Sequence, residues 1–367
     1  MGGIGAGLLA FPARIGSSMS LQEEAERLRA ELEKLDQVRV RVALFGQPGA
    51  GKSSLINALV GREVAITGER TDTTVEAHSY HHDGVEYTDL PGFGTTRFPA
   101  DTYWSRFKLD EQDLLLCVKD GKFSDADDRM FFEQLWRRGK VCLFVHNKAD
   151  TLWSNTKSTE EIREELRRDL ADRLAPHSAS MVFTSCRTKA GLDELERAIG
   201  DYLPEAKRER WERAAAAYSE EWLLRKRNII KREVHIGAAL SAVNGFNPIP
   251  GADLAIDLSA LAGLLVRIRS HYGLSDARLE RYLQYAPAVK ALTDKILKYA
   301  TREGLLLLLK RFASRQLEKQ VTKYIPLVGQ AVAASVGYGI TLQVGFEFLD
   351  TCHELALEIM KAELKSA

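Results

Sequence analysis

The stretch Phe45-Gly46-Gln47-Pro48-Gly49-Ala50-Gly51-Lys52-Ser53-Ser54 constrains this chain more than any other. It follows the β-branched and apolar run Val38 to Leu44 and opens the helical pattern Leu55 to Val60. Strand, glycine-rich loop and helix in that order make a G-x-x-x-x-G-K-S phosphate-binding loop. Such a loop turns backbone N–H groups inward around phosphate oxygens, and the helix N-terminus adds partial positive charge. Here those groups belong to Gly46, Gly49, Ala50, Gly51, Lys52, Ser53 and Ser54. Lys52 is expected to reach the β- and γ-phosphates, and the Ser53 hydroxyl to hold Mg²⁺. The chain should therefore bind a nucleoside triphosphate.

Further along, Thr74 to His82 and Val85 to Leu90 read as two strands joined by a tight turn at Asp83-Gly84. The second strand ends in Asp89-Leu90-Pro91-Gly92, with Asp89 placed 36 residues after Ser53. An Asp at such a strand end holds the Mg²⁺ water shell, and the Gly92 N–H is positioned for the γ-phosphate. Asp113 to Val118 reads as a strand, Ser124 to Arg138 as a helix, and Val141 to His146 as a buried parallel strand. That last strand runs into Asn147-Lys148-Ala149-Asp150. The Asp150 carboxylate matches the N1–H and exocyclic amine of guanine together, whereas adenine has no such donor pair. An unpaired buried carboxylate is costly, so discrimination of on the order of 10² or more is expected. After a helix over Thr159 to Leu174, the strand Met181 to Thr184 leads into Ser185-Cys186-Arg187, where a backbone N–H can meet the guanine O6. Cys186 has two readings, a contact in that loop or a buried strand-end thiol.

The motifs in this order define a Ras-like α/β GTPase domain with a mixed six-stranded sheet over residues 37–203. A narrower resemblance lies in Asp89 to Tyr103, with its Phe98-Pro99 and Tyr103. This segment is similar to that of the immunity-related (interferon-inducible) GTPases, as are Lys122-Phe123 with Asp127-Asp128, Gly139-Lys140 and Ile162-Arg163. The resemblance covers most of the chain. It departs at Asn147, where that family usually has Thr, which points to a distant or bacterial-type member.

The resemblance implies GTP hydrolysis, self-association through G domains in the GTP state as a homodimer or oligomer, and action at a membrane surface. Thr73-Thr74-Val75-Glu76-Ala77-His78 is similar to the family's first switch. There Thr74, with Thr73 close behind, matches the Mg²⁺ and γ-phosphate contact, and Glu76 matches a Glu that acts on the attacking water when two G domains meet. An exposed strand carboxylate is the other reading of Glu76. The catalytic set expected is therefore Lys52, Thr74, Glu76 and Gly92, and the metal set Ser53, Thr74 and Asp89. Phe93 stands where a Ras-like GTPase has a water-orienting Gln, so intrinsic hydrolysis should be slow.

The rest of the chain is expected to be helical. Residues 1–19 read as an apolar flexible tail or a weak membrane contact, without the basic start of a secretory signal. Leu21, Leu28, Leu32 and Leu35 form one stripe of an amphipathic helix over 20–36. The resemblance implies that it joins residues 204–367 in an all-α helical domain. Glu205 to Val234 reads as one long helix, its basic cluster Arg225, Lys226, Arg227, Lys231 and Arg232 either a solvated face or a contact with anionic lipid. Tyr324 to Phe346 carries no charge over 23 residues, so a membrane span and a buried helical hairpin both stay open, and in the second case the run Leu305 to Leu309 would be buried too. Lys+Arg and Asp+Glu both number 51, which gives no global field for nucleic acid. An Era-like RNA assembly GTPase remains the alternative, as does an integral membrane protein with a GTPase head. The widely spaced Cys117, Cys142, Cys186 and Cys352 fit thiols in a reducing compartment, which suggests a cytoplasmic protein at or beside a membrane.

GTP and GDP should displace labelled GDP from the protein far better than ATP does, and Asp150→Asn should relax that preference. Equal competition by ATP against the unmutated protein would refute the base assignment.

Overall fold

α1 (Leu21–Gln37) precedes the apolar run that becomes β1 (Val40–Gly46), whose Val40, Val42, Ala43, Leu44 and Phe45 are all fully buried. A nearly continuous apolar strand of this kind sits at the centre of a sheet covered on both faces. In this computed structural model the described residues are 21–66, 76–92, 100–121, 126–175, 177, 179–244, 248–249, 252–255, 258–282, 287–320 and 329–366.

β2 (His78–His82) and β3 (Val85–Asp89) form an antiparallel hairpin through Asp83 at φ 42 and Gly84 at φ 77. β4 (Leu114–Lys119), β5 (Cys142–His146) and β6 (Met181–Phe183) follow. The strand order is β2-β3-β1-β4-β5-β6, and every pairing except β2 with β3 is parallel. This is the expected mixed six-stranded sheet. Its order reverses at β1, which places the loop after β1 in the crevice where open α/β sheets bind ligands.

The helices α2 (Lys52–Val60), α3 (Ala100–Arg106), α4 (Ala126–Arg137) and α5 (Thr159–Leu174) lie between these strands in sequence, and α6 (Leu192–Tyr202) follows β6. Ala43, Phe45, Leu115, Cys117 and Phe144 from the sheet share one core with Tyr103, Trp104, Phe132, Leu135, Leu170 and Leu174 from α3, α4 and α5. α5 begins where expected, at a capping box: Glu161 N–H donates to the Ser158 hydroxyl (3.3 Å), and Ser158 N–H to the Glu161 carboxylate (2.7 Å).

The expected single helix from Glu205 to Val234 is in fact two, α7 (Glu205–Ala214) and α8 (Glu220–Asn244), parted by a turn with Ala217 at φ 67. A left-handed alanine costs on the order of 1–2 kcal/mol and needs local support. Fully buried Glu196 supplies it, accepting the N–H groups of Ala217 (3.0 Å) and Tyr218 (3.3 Å). α7 itself packs on β1 and β3. Its Trp211 is fully buried, 6.2 Å from the Tyr87 ring, and donates Nε1–H to the Glu196 carbonyl at 2.9 Å.

The basic cluster is not an open face. Lys226 is buried and donates to the carbonyls of Ala215 and His271, while Arg225 pairs with Glu221 at 2.9 Å and Arg232 with Glu31 at 2.8 Å. By contacts the chain divides into two compact units. One comprises Asp36–Ile229, His271–Gly273 and Ala356–Ala367, the other Met1–Leu35, Ile230–Ser270 and Leu274–Leu355.

Within the second unit, Leu28, Leu32 and Leu35 of α1 pack on Ile236, Ala239 and Leu240 of α8, so the leucine stripe finds a helical partner. A short hairpin, β7 (Pro248–Ile249) with β8 (Ala252–Ala255), stands at a break between helices in a domain expected to be all-α. Pro248 and Pro250 lack N–H donors, so a helix cannot run through them. α9 (Leu258–His271), α10 (Asp276–Tyr282), α11 (Pro287–Tyr299), α12 (Arg302–Gln320) and α13 (Gly329–Ser366) complete the chain.

Of the five consecutive leucines, Leu305, Leu308 and Leu309 are buried but Leu307 is 56% exposed, since neighbours on a helix point in different directions. Ile340, Thr341, Val344 and Phe348 of α13 are buried. A Cβ at Gly345 would lie 2.6 Å from Val234 Cγ1, so the two helices approach closely there. Among the described residues no helix is long and apolar enough to cross a membrane, and residues 324–328 of the uncharged stretch lie outside them.

Trp211→Ala should destabilise the sheet-containing unit by about 3–5 kcal/mol, the usual cost of emptying a buried tryptophan site. Urea unfolding followed by far-UV circular dichroism measures this, and a loss below about 1 kcal/mol would show that α7 does not belong to that core.

Candidate functional site

Four strand ends converge at the carboxyl edge of the sheet. β1 ends at Gly46, with φ 134, where an added Cβ would lie 2.0 Å from the Val118 carbonyl oxygen of neighbouring β4. No side chain fits that space. Gly51 caps α2 at φ 85 and lies under Asn147, whose Nδ2 would be 2.5 Å from an added Cβ. Between these glycines the loop closes on itself, Ala50 N–H donating to the Gln47 carbonyl at 3.3 Å. Lys52 follows, buried, its Nζ donating to the Gln47 carbonyl at 3.3 Å. Burial pulls the Lys52 ammonium below its ordinary pKa, against the opposing attraction of Asp89.

β3 brings Asp89 beside this helix start. Ser53 Oγ donates to Asp89 Oδ2 at 2.5 Å. Burial pushes the Asp89 carboxyl up, opposed by the Ser53 hydrogen bond and by Lys52. Its Oδ1 is buried and has no hydrogen-bond partner among the described residues. A buried carboxylate oxygen beside a serine hydroxyl is what a hydrated divalent cation requires, since hard cations take oxygen donors. The residues present therefore fit Mg²⁺. The strand continues through Leu90, whose N–H donates to the Leu44 carbonyl at 2.9 Å, to Gly92, where a Cβ would lie 2.9 Å from Pro48 Cγ. The two phosphate-side loops are thus in van der Waals contact.

The base side is built from the ends of β5 and β6. Asn147 is buried, and its side chain joins three segments. Nδ2 donates to the Ala50 carbonyl (2.9 Å), while Oδ1 accepts from Thr184 Oγ1 (3.2 Å) and Cys186 Sγ (3.5 Å). Lys148, at φ 56, reaches back to donate Nζ–H to the Gly49 carbonyl and to Asp120 Oδ2, both at 2.7 Å. Asp150 Oδ2 accepts from Arg187 Nε (2.8 Å) and Nη2 (2.6 Å). Hydrogen bonding by Ser185, then by Arg187, holds this carboxyl below its ordinary range, so it stays ionised. Cys186 is half-buried, and burial pushes its thiol up to about 11, which makes it a neutral donor to Asn147.

Gly46, Gly49, Ala50, Gly51, Lys52, Ser53, Ser54, Asp89, Gly92, Asn147, Lys148, Asp150, Ser185, Cys186 and Arg187 are thereby gathered along one edge of the sheet. Thr74 lies outside the described residues. Glu76 is exposed, two residues before β2. Asp120 and Thr184, which orient Lys148 and Asn147, belong to no motif, and their one signal in the sequence is a position at the ends of apolar strands.

A sheet that reverses at a glycine-rich loop, an acidic strand end beside it and an Asn-Lys-x-Asp loop across from it define a P-loop G domain. The family model for interferon-inducible GTPases matches residues 16–361, and the chain belongs to that family. It is a GTPase, which binds GTP and GDP and hydrolyses GTP. The chain is 26% identical to interferon-gamma-inducible GTPase 10 of Mus musculus, over 94% of this chain and 86% of that one. It is 27% identical to interferon-inducible GTPase 5 of Bos taurus, over 95% and 80%. A crystal structure of a point variant of Aquifex aeolicus Era bound to GDP.AlF4- is similar over 45% of this chain and 57% of that one, at 25% identity and a TM-score of 0.36.

Lys52→Met should weaken GTP binding by at least about 10-fold, the usual loss when a charge-assisted hydrogen bond to a ligand is removed. The fold should be retained, because desolvation by burial, the larger influence on the ammonium, outweighs its attraction to Asp89. Isothermal titration and thermal melting separate the two effects. A collapse in melting temperature would make Lys52 a residue of the core.

Proposed function

We propose that this GTPase assembles through its G domain in the GTP state and works at a membrane surface. The observation that carries its nucleotide chemistry is the convergence of Lys52, Ser53 and Asp89, with Asp89 Oδ1 buried and unpartnered among the described residues. Ser53 and Asp89, with Thr74, would hold Mg²⁺, which neutralises phosphate charge when bound. Lys52 and the backbone N–H groups of the glycine loop bind and orient the β- and γ-phosphates. The Gly92 N–H takes up charge on the γ-phosphate as the bond to the leaving oxygen breaks. Asp150 reads the guanine N1–H and exocyclic amine, and because Ser185 and Arg187 hold its carboxyl below the ordinary range, the acceptor is ionised without a proton transfer.

Hydrolysis needs a group that orients water, and Phe93 can neither donate nor accept a hydrogen bond. The exposed Glu76 carboxylate supports a role in a site completed by a second G domain. The resemblance of the first switch to the family pattern supports it too. Membrane action rests on the family resemblance and on the apolar stretch Gly2 to Ala10.

Turnover per molecule should rise with protein concentration through the micromolar range, and Glu76→Ala should remove most of that rise while GDP affinity is retained. A specific rate independent of concentration, or an unchanged one in Glu76→Ala, removes Glu76 from the mechanism. Flotation on liposomes should depend on a non-hydrolysable GTP analogue; equal flotation with GDP would separate membrane contact from the nucleotide cycle.

A further inference from the structure

Tyr103 lies 12 residues beyond Pro91 in sequence, yet its hydroxyl donates to the Pro91 carbonyl at 2.7 Å. The side chain is 1% exposed, its ring packed 4.6 Å from Phe107 and set among Phe45, Leu90, Trp104 and Leu109. Burial holds the phenol well above its ordinary pKa, so the hydroxyl carries its proton and acts as the donor. The acceptor's place in the chain matters more than the bond itself. The Pro91 carbonyl and the Gly92 N–H belong to one planar peptide unit, and in a trans peptide they point in opposite directions. Whatever fixes the carbonyl fixes the N–H.

We propose that Tyr103 is a positioning residue for GTP hydrolysis: by gripping the Pro91 carbonyl from the core it aims the Gly92 N–H at the γ-phosphate. The inference rests on the assignment of that N–H to the γ-phosphate made above. Two restraints then define the peptide plane. Tyr103 holds the carbonyl, and Pro48 of the glycine loop lies close to the Gly92 Cα, where a Cβ would come within 2.9 Å of Pro48 Cγ. Upstream, the Leu90 N–H bond to the Leu44 carbonyl at 2.9 Å ties the same segment to β1. The turn after Asp89 is therefore anchored to the core at both ends of Leu90-Pro91. Pre-aimed donors of this kind stabilise developing charge without reorganising during the reaction. GDP has no γ-phosphate, so the effect of Tyr103 is confined to the triphosphate.

Tyr103→Phe removes the hydroxyl and keeps the ring. GDP affinity should stay within about twofold, while affinity for a non-hydrolysable GTP analogue should fall about 3- to 10-fold, the range of one net hydrogen bond. The single-turnover hydrolysis rate with saturating GTP should fall at least as far. Incorporating 4-aminophenylalanine at position 103 restores a donor and should restore both. If Tyr103→Phe binds GDP normally but keeps the unmutated analogue affinity and single-turnover rate, the proposal is wrong. It is equally wrong if GDP affinity falls as much as analogue affinity, because the residue then serves the fold alone. Gly92→Ala, read against its own GDP affinity because the added methyl meets Pro48 of the glycine loop, distinguishes failure of the underlying assignment. Normal analogue binding in that variant would remove Gly92 from the γ-phosphate, whereas a defect confined to the analogue, with GDP affinity kept, beside a silent Tyr103→Phe would refute the role of Tyr103 alone.

Discussion

The buried side chain of Asn147 is the interaction on which the nucleotide edge of the sheet depends. One amide bonds the glycine loop through the Ala50 carbonyl, and the loop after β6 through Thr184 and Cys186. Its backbone N–H donates to the Lys119 carbonyl at the end of β4 at 2.7 Å. The phosphate side and the base side are built from strands far apart in sequence, and this amide sets the distance between them. Lys148 reinforces the arrangement through Gly49 and Asp120. A hydroxyl-bearing residue at position 147 offers fewer hydrogen-bonding groups. The Asn at this position therefore brings a tighter connection between the loops than a hydroxyl side chain could.

Against that rigid frame, the reacting end holds charge in an unfavourable setting. Lys52 and Asp89 are both buried, and burial disfavours the ionised form of each. They offset one another in part, and Ser53 covers one carboxylate oxygen. The other oxygen is left for a ligand. Such incomplete compensation is costly to a folded chain and useful to a binding site, because phosphates and a cation complete the electrostatics that the protein leaves open. Stability and function pull apart at these residues.

Buried charge also shapes the region behind the sheet, with a different outcome. Glu196 and Lys226 are both buried, and burial raises the Glu196 carboxyl to about 7. Each is satisfied by backbone: Glu196 by the N–H groups of the α7–α8 turn, Lys226 by carbonyls of Ala215 and His271. The turn between two helices thus rests on side chains that look, in sequence, like members of solvated helical faces. Tyr218 links the same turn to the helix that begins at the glycine loop, its hydroxyl donating to the Ala58 carbonyl at 2.6 Å.

By itself the sequence determined the order and kind of the elements in the sheet, the glycine-rich, acidic and Asn-Lys-x-Asp motifs along its edge, and the amphipathic leucine stripe of α1. Those features are local or periodic: glycines where a Cβ would collide, apolar strands, an Asn-Lys-x-Asp loop, leucines on one helical face. Tertiary structure alone decided which polar side chains are buried and what they hold. Lys226 in a basic run, Glu196 in an amphipathic helix, and Tyr103 beyond the acidic strand end carry no local mark of their roles. The left-handed turn at Ala217 is of the same kind, since alanine is the best helix former and the Glu196 carboxylate that supports the turn comes from another helix. The same holds for Leu307, exposed among four other leucines. Periodicity reports how often a face recurs along a helix, but which face meets another element depends on partners distant in the chain, and those are assembled only when the chain folds.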